Sequence, residues 1–232
     1  MKKNIIFVIF LVFTLSALLS CSTKNDNSLE QPAISFITPS GEITNKSIEL
    51  KDDFNNIVIL GKFNVILEEG SGSLDIETSS NIQEYINYSL FNKTLTISTS
   101  DLVSFNTLVK ITIKKDNIND IKMSYGSLFQ SNLNFDQLKV SLDTISSITL
   151  SGEINFLTIN MTDMSTAVID NSKIKEAVID VSVNSNLYIN LNGTITGNVS
   201  DLSKVSVTGN ISSNSISSDS SSKVNLGGNL KS

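Results

Sequence analysis

The chain of 232 residues contains no histidine and no tryptophan, and its single cysteine is Cys21. Histidine is the commonest general base and the commonest metal ligand in proteins, so its absence removes the usual basis of both chemistries. Nucleophilic catalysis by a Cys–His or Ser–His pair therefore has no partners to use. We predict a protein that is not an enzyme and that holds neither a cofactor nor a metal ion.

Basic clusters are also scarce. The formal net charge is −6, and lysines occur singly or in isolated pairs such as Lys114-Lys115. Nucleic-acid binding needs a concentrated basic surface, because the phosphate backbone dominates affinity. No glycine-rich phosphate loop stands between a strand and a helix. We therefore expect neither nucleic acid nor a nucleotide as a partner.

The N-terminus has the pattern of an export signal. Lys2 and Lys3 precede an apolar stretch over residues 5–19, which is shorter than the roughly 20 residues of a membrane span. It ends in Leu18-Leu19-Ser20-Cys21, which resembles a bacterial lipobox. The alternative is an ordinary secretory signal with a cysteine near its end. We predict that residues 1–20 are a lipoprotein signal peptide and that acyl chains on Cys21 anchor the protein to a membrane.

A polar segment follows the predicted anchor. Residues 21–48 contain both prolines of the chain, Pro32 and Pro39, among many polar side chains. Such a composition is typical of a flexible spacer, so we predict a lipidated N-terminus with a tether over this range. The apolar stretch at residues 34–37 leaves open that the segment docks on the domain or adds an edge strand.

The remainder, residues 49–232, alternates apolar and polar residues with the period of a β-strand. Residues 49–125 form a less regular leading β segment, in which residues 80–90 have the spacing of a short helical turn. From residue 126 a unit of about 19 residues recurs, and each unit has a serine that opens a short strand. The serines are Ser146, Ser165, Ser185, Ser203 and Ser222. We predict an all-β fold with a right-handed, single-stranded β-helix, or β-solenoid.

Equivalent positions of successive units predict columns of side chains. Two inward columns are Ile148, Ala167, Leu187, Val205 and Val224, and Leu138, Leu157, Ala177 and Ile195. An outward column on the same reading is Thr149, Val168, Tyr188, Ser206 and Asn225. One coil cannot bury its apolar face alone, so stacking of neighbours is expected to form the core.

These features resemble a known bacterial family. A start of the form Phe54-x-x-Ile57, the recurring coils of Ser-x-aliphatic-x-aliphatic-x-Gly and the lipobox are similar to the family of auto-transporter adhesin head domains, or GIN domains. Its members are common as lipoproteins of Bacteroidetes. The resemblance covers residues 50–232 and implies right-handed β-helix-like coils and an adhesive function. Its motifs concern shape and carry no catalytic chemistry.

Two groups of residues are candidate ligand contacts. Asp143, Asp163, Asp201 and Asp219 each lie two or three residues before a strand-opening serine, so they are expected to form an acidic column. Stacked carboxylates can bind calcium or an acidic polysaccharide, whereas Asp residues at tight corners also bond their own backbone. Tyr188 is expected to point outward, where an aromatic ring can stack on a sugar or anchor a protein.

The sequence therefore predicts a non-catalytic lipoprotein of the cell envelope, anchored in the outer membrane at the cell surface or on the periplasmic face. Its role is that of an adhesin that presents polar sheet faces to glycans or to host and cell-surface proteins. The alternatives are a polysaccharide-binding or polysaccharide-processing β-helix protein and a periplasmic structural protein. The last coil is expected to expose a strand edge, which favours a homo-oligomer through that edge.

Overall fold

The computed structural model describes residues 35–100, 103–227 and 229–230. The signal peptide, Cys21 and residues 21–34 of the predicted tether lie outside the described residues. Strands make up 68% of the structure and α-helices are absent from the described ranges, which confirms the all-β prediction. The strands form a β-solenoid of about six turns with coils of about 19 residues. No helix in this part of the chain is long and apolar enough to cross a membrane.

Nineteen strands follow one another along the described chain. The leading part comprises β1 (Ser35–Ile37), β2 (Ile43–Glu49), β3 (Asn56–Leu60), β4 (Phe63–Glu68), β5 (Ser71–Ser79), β6 (Ile86–Phe91), β7 (Thr94–Thr99), β8 (Val103–Phe105) and β9 (Val109–Lys115). The coils comprise β10 (Asp120–Ser124), β11 (Leu128–Ser131), β12 (Phe135–Leu142), β13 (Ser147–Leu150), β14 (Ile154–Met161), β15 (Thr166–Val181), β16 (Asn186–Val199), β17 (Lys204–Ser218), β18 (Lys223–Leu226) and β19 (Asn229–Leu230).

The coils stack into two parallel ladders. The first face contains β7, β3, β10, β12 and β14, followed by the second halves of β15, β16 and β17. The second face contains β9, β4, β11 and β13, followed by the first halves of β15, β16 and β17 and then β18. The chain changes from the first face to the second at one corner of each coil.

The predicted columns are confirmed by the register. Ile148, Ala167, Leu187 and Val205 are successive partners and are fully buried. The outward column from Thr149 to Asn225 is also one ladder position. Aliphatic and β-branched side chains pack well on a pleated surface, so each column fills the space between the two faces. The core is thus one continuous cluster that runs through the coils.

Strands of the leading segment form part of the stack of coils, in addition to preceding it in the sequence. β3 lies between β7 and β10, and β4 lies between β9 and β11. Antiparallel strands then cover that end: β6 pairs with β7, β5 with β9, and β2 with β5. The helical spacing at residues 80–90 corresponds to a 3-10 turn at Gln83–Tyr85, after which the chain continues as β6.

The predicted tether is wrong where the structure describes it. β2 pairs antiparallel with β5 from Ile43 and Ser79 to Glu49 and Ser73, and β1 pairs parallel with β8. The alternative that residues 34–37 add an edge strand therefore holds for β1. An edge strand buries little apolar surface, and β2 is mostly exposed. Because β2 is exposed, its residues are mostly polar, and its sequence resembles that of a flexible linker.

Candidate functional site

The corner that leads from the first face to the second has the same backbone in five successive coils. Two successive residues have positive φ: Tyr125 and Gly126, Thr144 and Ile145, Asp163 and Met164, Val183 and Asn184, and Asp201 and Leu202. The N–H of the second residue donates to the carbonyl of the first residue one coil further on. The N···O distances are 2.9 Å from Gly126 to Thr144, 2.9 Å from Ile145 to Asp163, 2.9 Å from Met164 to Val183 and 2.8 Å from Asn184 to Asp201. This left-handed corner is therefore a hydrogen-bonded ladder of its own.

The strand-opening serines follow this corner and point inward. They are fully buried at Ser127, Ser146, Ser165, Ser185 and Ser203. Ser165 Oγ donates to the carbonyl of Thr162 at 2.6 Å, whereas the hydroxyls of Ser146 and Ser185 have no partner among the described residues. A small side chain is needed here because the chain turns tightly above the core. The serine repeats because each corner of this shape needs a small buried residue.

The four predicted acids lie at this corner but do not form one column, which corrects the prediction. Asp143 precedes a positive-φ pair, Asp163 and Asp201 are each the first residue of such a pair, and no described residue of positive φ follows Asp219. The sequence interval to the next serine differs by one residue between Asp143 and Asp163, and in a tight corner one residue changes the direction of the side chain. Within the described ranges, no group of three or more acidic or cysteine side chains could hold a metal ion.

Hydrogen bonds fix two of these carboxylates in their charged form. Thr144 Oγ1 donates to Asp143 at 2.9 Å and Ser124 Oγ at 3.1 Å, and these bonds lower the pKa of Asp143. The backbone N–H of Asp201 donates to Asp219 at 2.9 Å and is the main reason why the pKa of Asp219 falls to about 2. Both carboxylates thus accept bonds from corner residues of their own or an adjacent coil.

An exposed apolar line runs along the same corner. It consists of Tyr125, Ile145, Met164, Val183 and Leu202, one from each of five successive coils, and is here named the corner ridge. The exposed fractions are 60%, 59%, 55%, 38% and 59% in that order. The ridge was not predicted from the sequence, because its members fall in loops between strands. A signal was present, since each stands one or two residues before a strand-opening serine.

An acidic groove lies beside the ridge at the edge of the first face. Its volume is about 310 Å³, and its lining includes Asp143, Asp180, Asn160 and Ser141. Asp143 comes from the corner and Asp180 from the outward side of β15. The groove and the ridge are therefore adjacent features of one corner.

A second groove lies on the first face around Phe156 and is here named the aromatic groove. Its volume is about 570 Å³, and its polar lining comprises Asn119, Asp136, Gln137, Lys139, Thr158 and Glu176. Phe156 is 47% exposed and lies between Gln137 and Glu176 in the ladder. The sequence analysis did not single out Phe156, because its coil partners are polar and no aromatic column marks the position.

Tyr188 lies on the second face, away from both grooves. It is 46% exposed, as predicted, and its ladder partners are Val168 and Ser206. Asp163 and Asp201 lie at the corner, so the structure does not bring the tyrosine and the acids into one site. The candidate surfaces are therefore the corner and the aromatic groove.

The fold and these surfaces define a β-solenoid whose candidate sites are open grooves and ridges on the outside of the coils. Residues 53–210 match the family model described as "Putative auto-transporter adhesin, head GIN domain". The match covers more than half of the chain, so the protein belongs to this family. The resemblance found in the sequence is thereby confirmed.

Solved structures share the fold. One is a putative adhesin from Bacteroides fragilis, with a TM-score of 0.67 and 16% identity over 82% of this chain and 99% of that one. Another is a putative lipid binding protein from Parabacteroides distasonis, with a TM-score of 0.53 and 11% identity over 82% of this chain and 99% of that one. No curated protein shows significant similarity to the chain. At these identities the likeness establishes the fold alone.

Proposed function

We propose that the protein is a non-catalytic adhesin of the cell envelope that binds oligosaccharides through the aromatic groove. Acyl chains on Cys21 hold it to the outer membrane, and the segment that follows gives the solenoid reach from the membrane surface. Membership of a family described as adhesin heads supports the adhesive role. The glycan specificity rests on the groove itself.

The observation that carries this proposal is an exposed aromatic ring surrounded by polar groups that the protein does not use. Gln137 and Glu176 flank Phe156 in the ladder, and Lys139 lies in the same groove. None of these three polar side chains makes a hydrogen bond or an ion pair with any described residue, whereas five other lysines are ion-paired. The groove thus offers free donors and acceptors around an apolar plane.

Sugars match this arrangement. The C–H face of a pyranose ring packs on an aromatic face, and its hydroxyls both donate and accept hydrogen bonds to planar polar side chains. A small number of placed polar groups around an apolar surface is also the usual composition of a ligand site. One open groove binds weakly, and many anchored copies on one cell would raise the overall avidity.

The direct test is binding of the purified domain to an array of neutral and acidic oligosaccharides. We expect Phe156→Ala to weaken binding at least about tenfold, which corresponds to about 1.4 kcal/mol. Tyr188→Ala is the matched control, because Tyr188 is equally exposed but lies on the other face. Equal binding by wild type and Phe156→Ala would exclude the groove, and release of shortened sugars would favour a polysaccharide-processing role.

Cellular placement needs its own test. We expect protease added to intact cells to degrade the domain, and we expect Cys21→Ser to release it from the membrane fraction because the lipid attachment site is lost. Protection of the wild type until lysis would contradict the adhesin proposal. It would instead favour a structural role in the periplasm.

A further inference from the structure

We propose that the corner ridge and the acidic groove beside it form a docking site for a protein segment that carries both apolar and basic side chains. The site is separate from the aromatic groove and does not depend on glycan binding. Its surface, its backbone conformation and its charge each support the proposal.

The first argument is the exposed apolar surface. Each of five successive coils has one exposed apolar side chain at this corner, and four of the five are at least 55% exposed. Ile145, Met164 and Leu202 are the second residue of the positive-φ pair, whereas Tyr125 and Val183 are the first. Coils stack about 4.8 Å apart, so the ridge extends for about 19 Å. Single exposed apolar residues are ordinary, whereas a group of them along one corner is typical of an interaction surface.

Backbone conformation also supports the proposal, because folding alone would favour other residue types at some positions of the ridge. Ile145 and Val183 have φ values of 63° and 52°, a region that β-branched residues rarely adopt. Glycine, asparagine and aspartate adopt it with little strain, and Asn184 shows that the corner accepts asparagine. The ridge therefore retains apolar side chains at positions where they are both strained and exposed. Strained residues of this kind are concentrated at functional sites.

The third argument is charge. Asp143 and Asp180 line the groove next to the ridge, and Asp163 and Asp201 lie on the corner itself. No ion pair involves any of these four carboxylates within the described part of the chain. Hydrogen bonds with Thr144, Asp163 and Ser124, of which that from Thr144 is the strongest, lower the pKa of Asp143. A partner with lysine or arginine beside its apolar residues complements this surface.

The same charges argue against two other occupants. A second copy that docked ridge to ridge would bring like-charged carboxylates together, and a membrane with anionic lipids would be repelled by them. A basic, apolar protein segment meets neither obstacle. The hydrogen-bonded ladder of the corner also holds the ridge in place before binding, which lowers the entropy cost of association.

The test uses synthetic peptides of 12 residues as probes of this chemistry. One alternates leucine and lysine, a second alternates leucine and glutamate, and a third alternates serine and lysine. Binding to the purified domain is measured by fluorescence anisotropy over a range of salt concentrations. We expect the leucine–lysine peptide to bind at least tenfold more tightly than either of the others.

Two double variants and a control locate the site. Ile145→Asn with Leu202→Asn removes apolar surface from the ridge, and Asp143→Asn with Asp180→Asn removes charge from the groove. We expect each pair to weaken binding of the leucine–lysine peptide at least tenfold, and the second pair also to flatten its salt dependence. Phe156→Ala, in the aromatic groove, should leave this binding within twofold of wild type.

Asparagine suits the left-handed corner, so the ridge variant should melt at the same temperature as wild type or higher, and a loss of binding then cannot result from unfolding. Failure of the leucine–lysine peptide to bind wild type, or equal binding by wild type and the ridge variant, would overturn the proposal. Ridge-dependent self-association in sedimentation, or ridge-dependent binding to phosphatidylglycerol vesicles, would overturn it in favour of a second copy or a lipid surface.

Discussion

Buried serines show how single residues shape this solenoid. Each closes the left-handed corner from within, where a larger side chain would have no room. Only some of the hydroxyls are satisfied: Ser165 Oγ donates to Thr162 O, whereas Ser146 Oγ has no partner among the described residues. A buried hydroxyl without a hydrogen bond is costly, so equivalent positions of the repeat are unequal in energy.

This inequality leads to a paired prediction. Ser165→Ala should lower the free energy of unfolding by about 1 kcal/mol, because a buried hydrogen bond is lost and the carbonyl of Thr162 is left with one acceptor contact fewer. Ser146→Ala should be neutral or slightly stabilising, because it removes an unsatisfied buried group. Urea unfolding of both variants measures the difference. Equal losses of stability would show that the free energy of unfolding depends on the volume of the serine side chain and not on its hydrogen bond.

Asp219 provides a pH-dependent prediction at the same scale. Its pKa is lowered from 3.8 to about 2, chiefly by the backbone N–H of Asp201. A group with a lowered pKa in the folded state stabilises the fold above its unfolded pKa, and this contribution is lost as the pH falls. Stability should therefore decline between about pH 4 and pH 2. The effect is small because the carboxylate is exposed to solvent.

The measurement is thermal unfolding of wild type and Asp219→Ala from pH 6 to pH 2. The two melting curves should differ at pH 6 and approach each other near pH 2. Asp52→Ala is the control, because no hydrogen bond or ion pair is described for this carboxyl. An unchanged difference between wild type and Asp219→Ala across the range would contradict the assignment.

At the scale of elements, close approach between corners governs which residues the coils tolerate. The turn between β13 and β14 lies against the turn between β11 and β12. A side chain on Gly152 would place its Cβ 1.8 Å from the carbonyl oxygen of Leu133. Gly126, by contrast, has a φ of +77° and open space around the position of a Cβ. Close contact therefore requires glycine at residue 152, whereas backbone conformation only favours it at residue 126, since Ile145 and Met164 adopt a similar φ at the equivalent position.

Alanine at these two glycines should have different costs. Gly152→Ala should destabilise the fold by about 3 kcal/mol or more, because the carbonyl of a neighbouring coil must move. Gly126→Ala should cost about 1 to 2 kcal/mol, because it strains only its own backbone. The midpoints of urea unfolding for the two variants give the comparison. A larger loss for Gly126→Ala would mean that backbone strain outweighs packing between corners.

Irregularity within the long strands also has a structural cause. The interval from Ser165 to Ser185 is 20 residues, and the β15–β16 register shifts between Ile169 and Ile174. Another shift occurs where Gly193 and Thr194 pair with β17. These bulges lie where a strand passes from the second face to the first, so coil length varies while the columns on both faces stay aligned.

At the scale of the whole molecule, the two ends of the described solenoid differ. Antiparallel strands β2, β5 and β6 cover the end formed by the leading segment. At the other end, residues 213–218 of β17 pair with β16, and no described strand pairs with them on the outer side. An unpaired strand edge is a template for addition of another strand.

We therefore predict that two copies associate through this edge. Ile216→Lys places a charge on the inward side of the edge strand and should abolish association, since an inward charge opposes sheet extension. Ser217→Lys adds the same charge on the outward side and should have little effect. Light scattering at high protein concentration measures the state. A strictly monomeric wild type would rule out the edge contact.

Much of this architecture could be predicted from the sequence because its determinants are local. Alternation within each unit assigns inward and outward residues, and the 19-residue period aligns them, so the columns from Ile148 and Leu138 were predicted correctly. Membership of the family followed from the same repeat. These features depend on residues within one coil and on the next coil along the chain.

The remaining features depend on contacts that no local pattern encodes. The placement of β3 between β7 and β10 is a choice among distant strands of similar composition. Asp143 and Asp163 differ by one residue of register in a left-handed corner, although their carboxyls still interact with each other. The corner ridge and the groove around Phe156 arise only when coils stack, because each coil supplies only part of the surface. The repeat thus determined the solenoid by itself, and the tertiary structure decided which of its residues are exposed together on one surface.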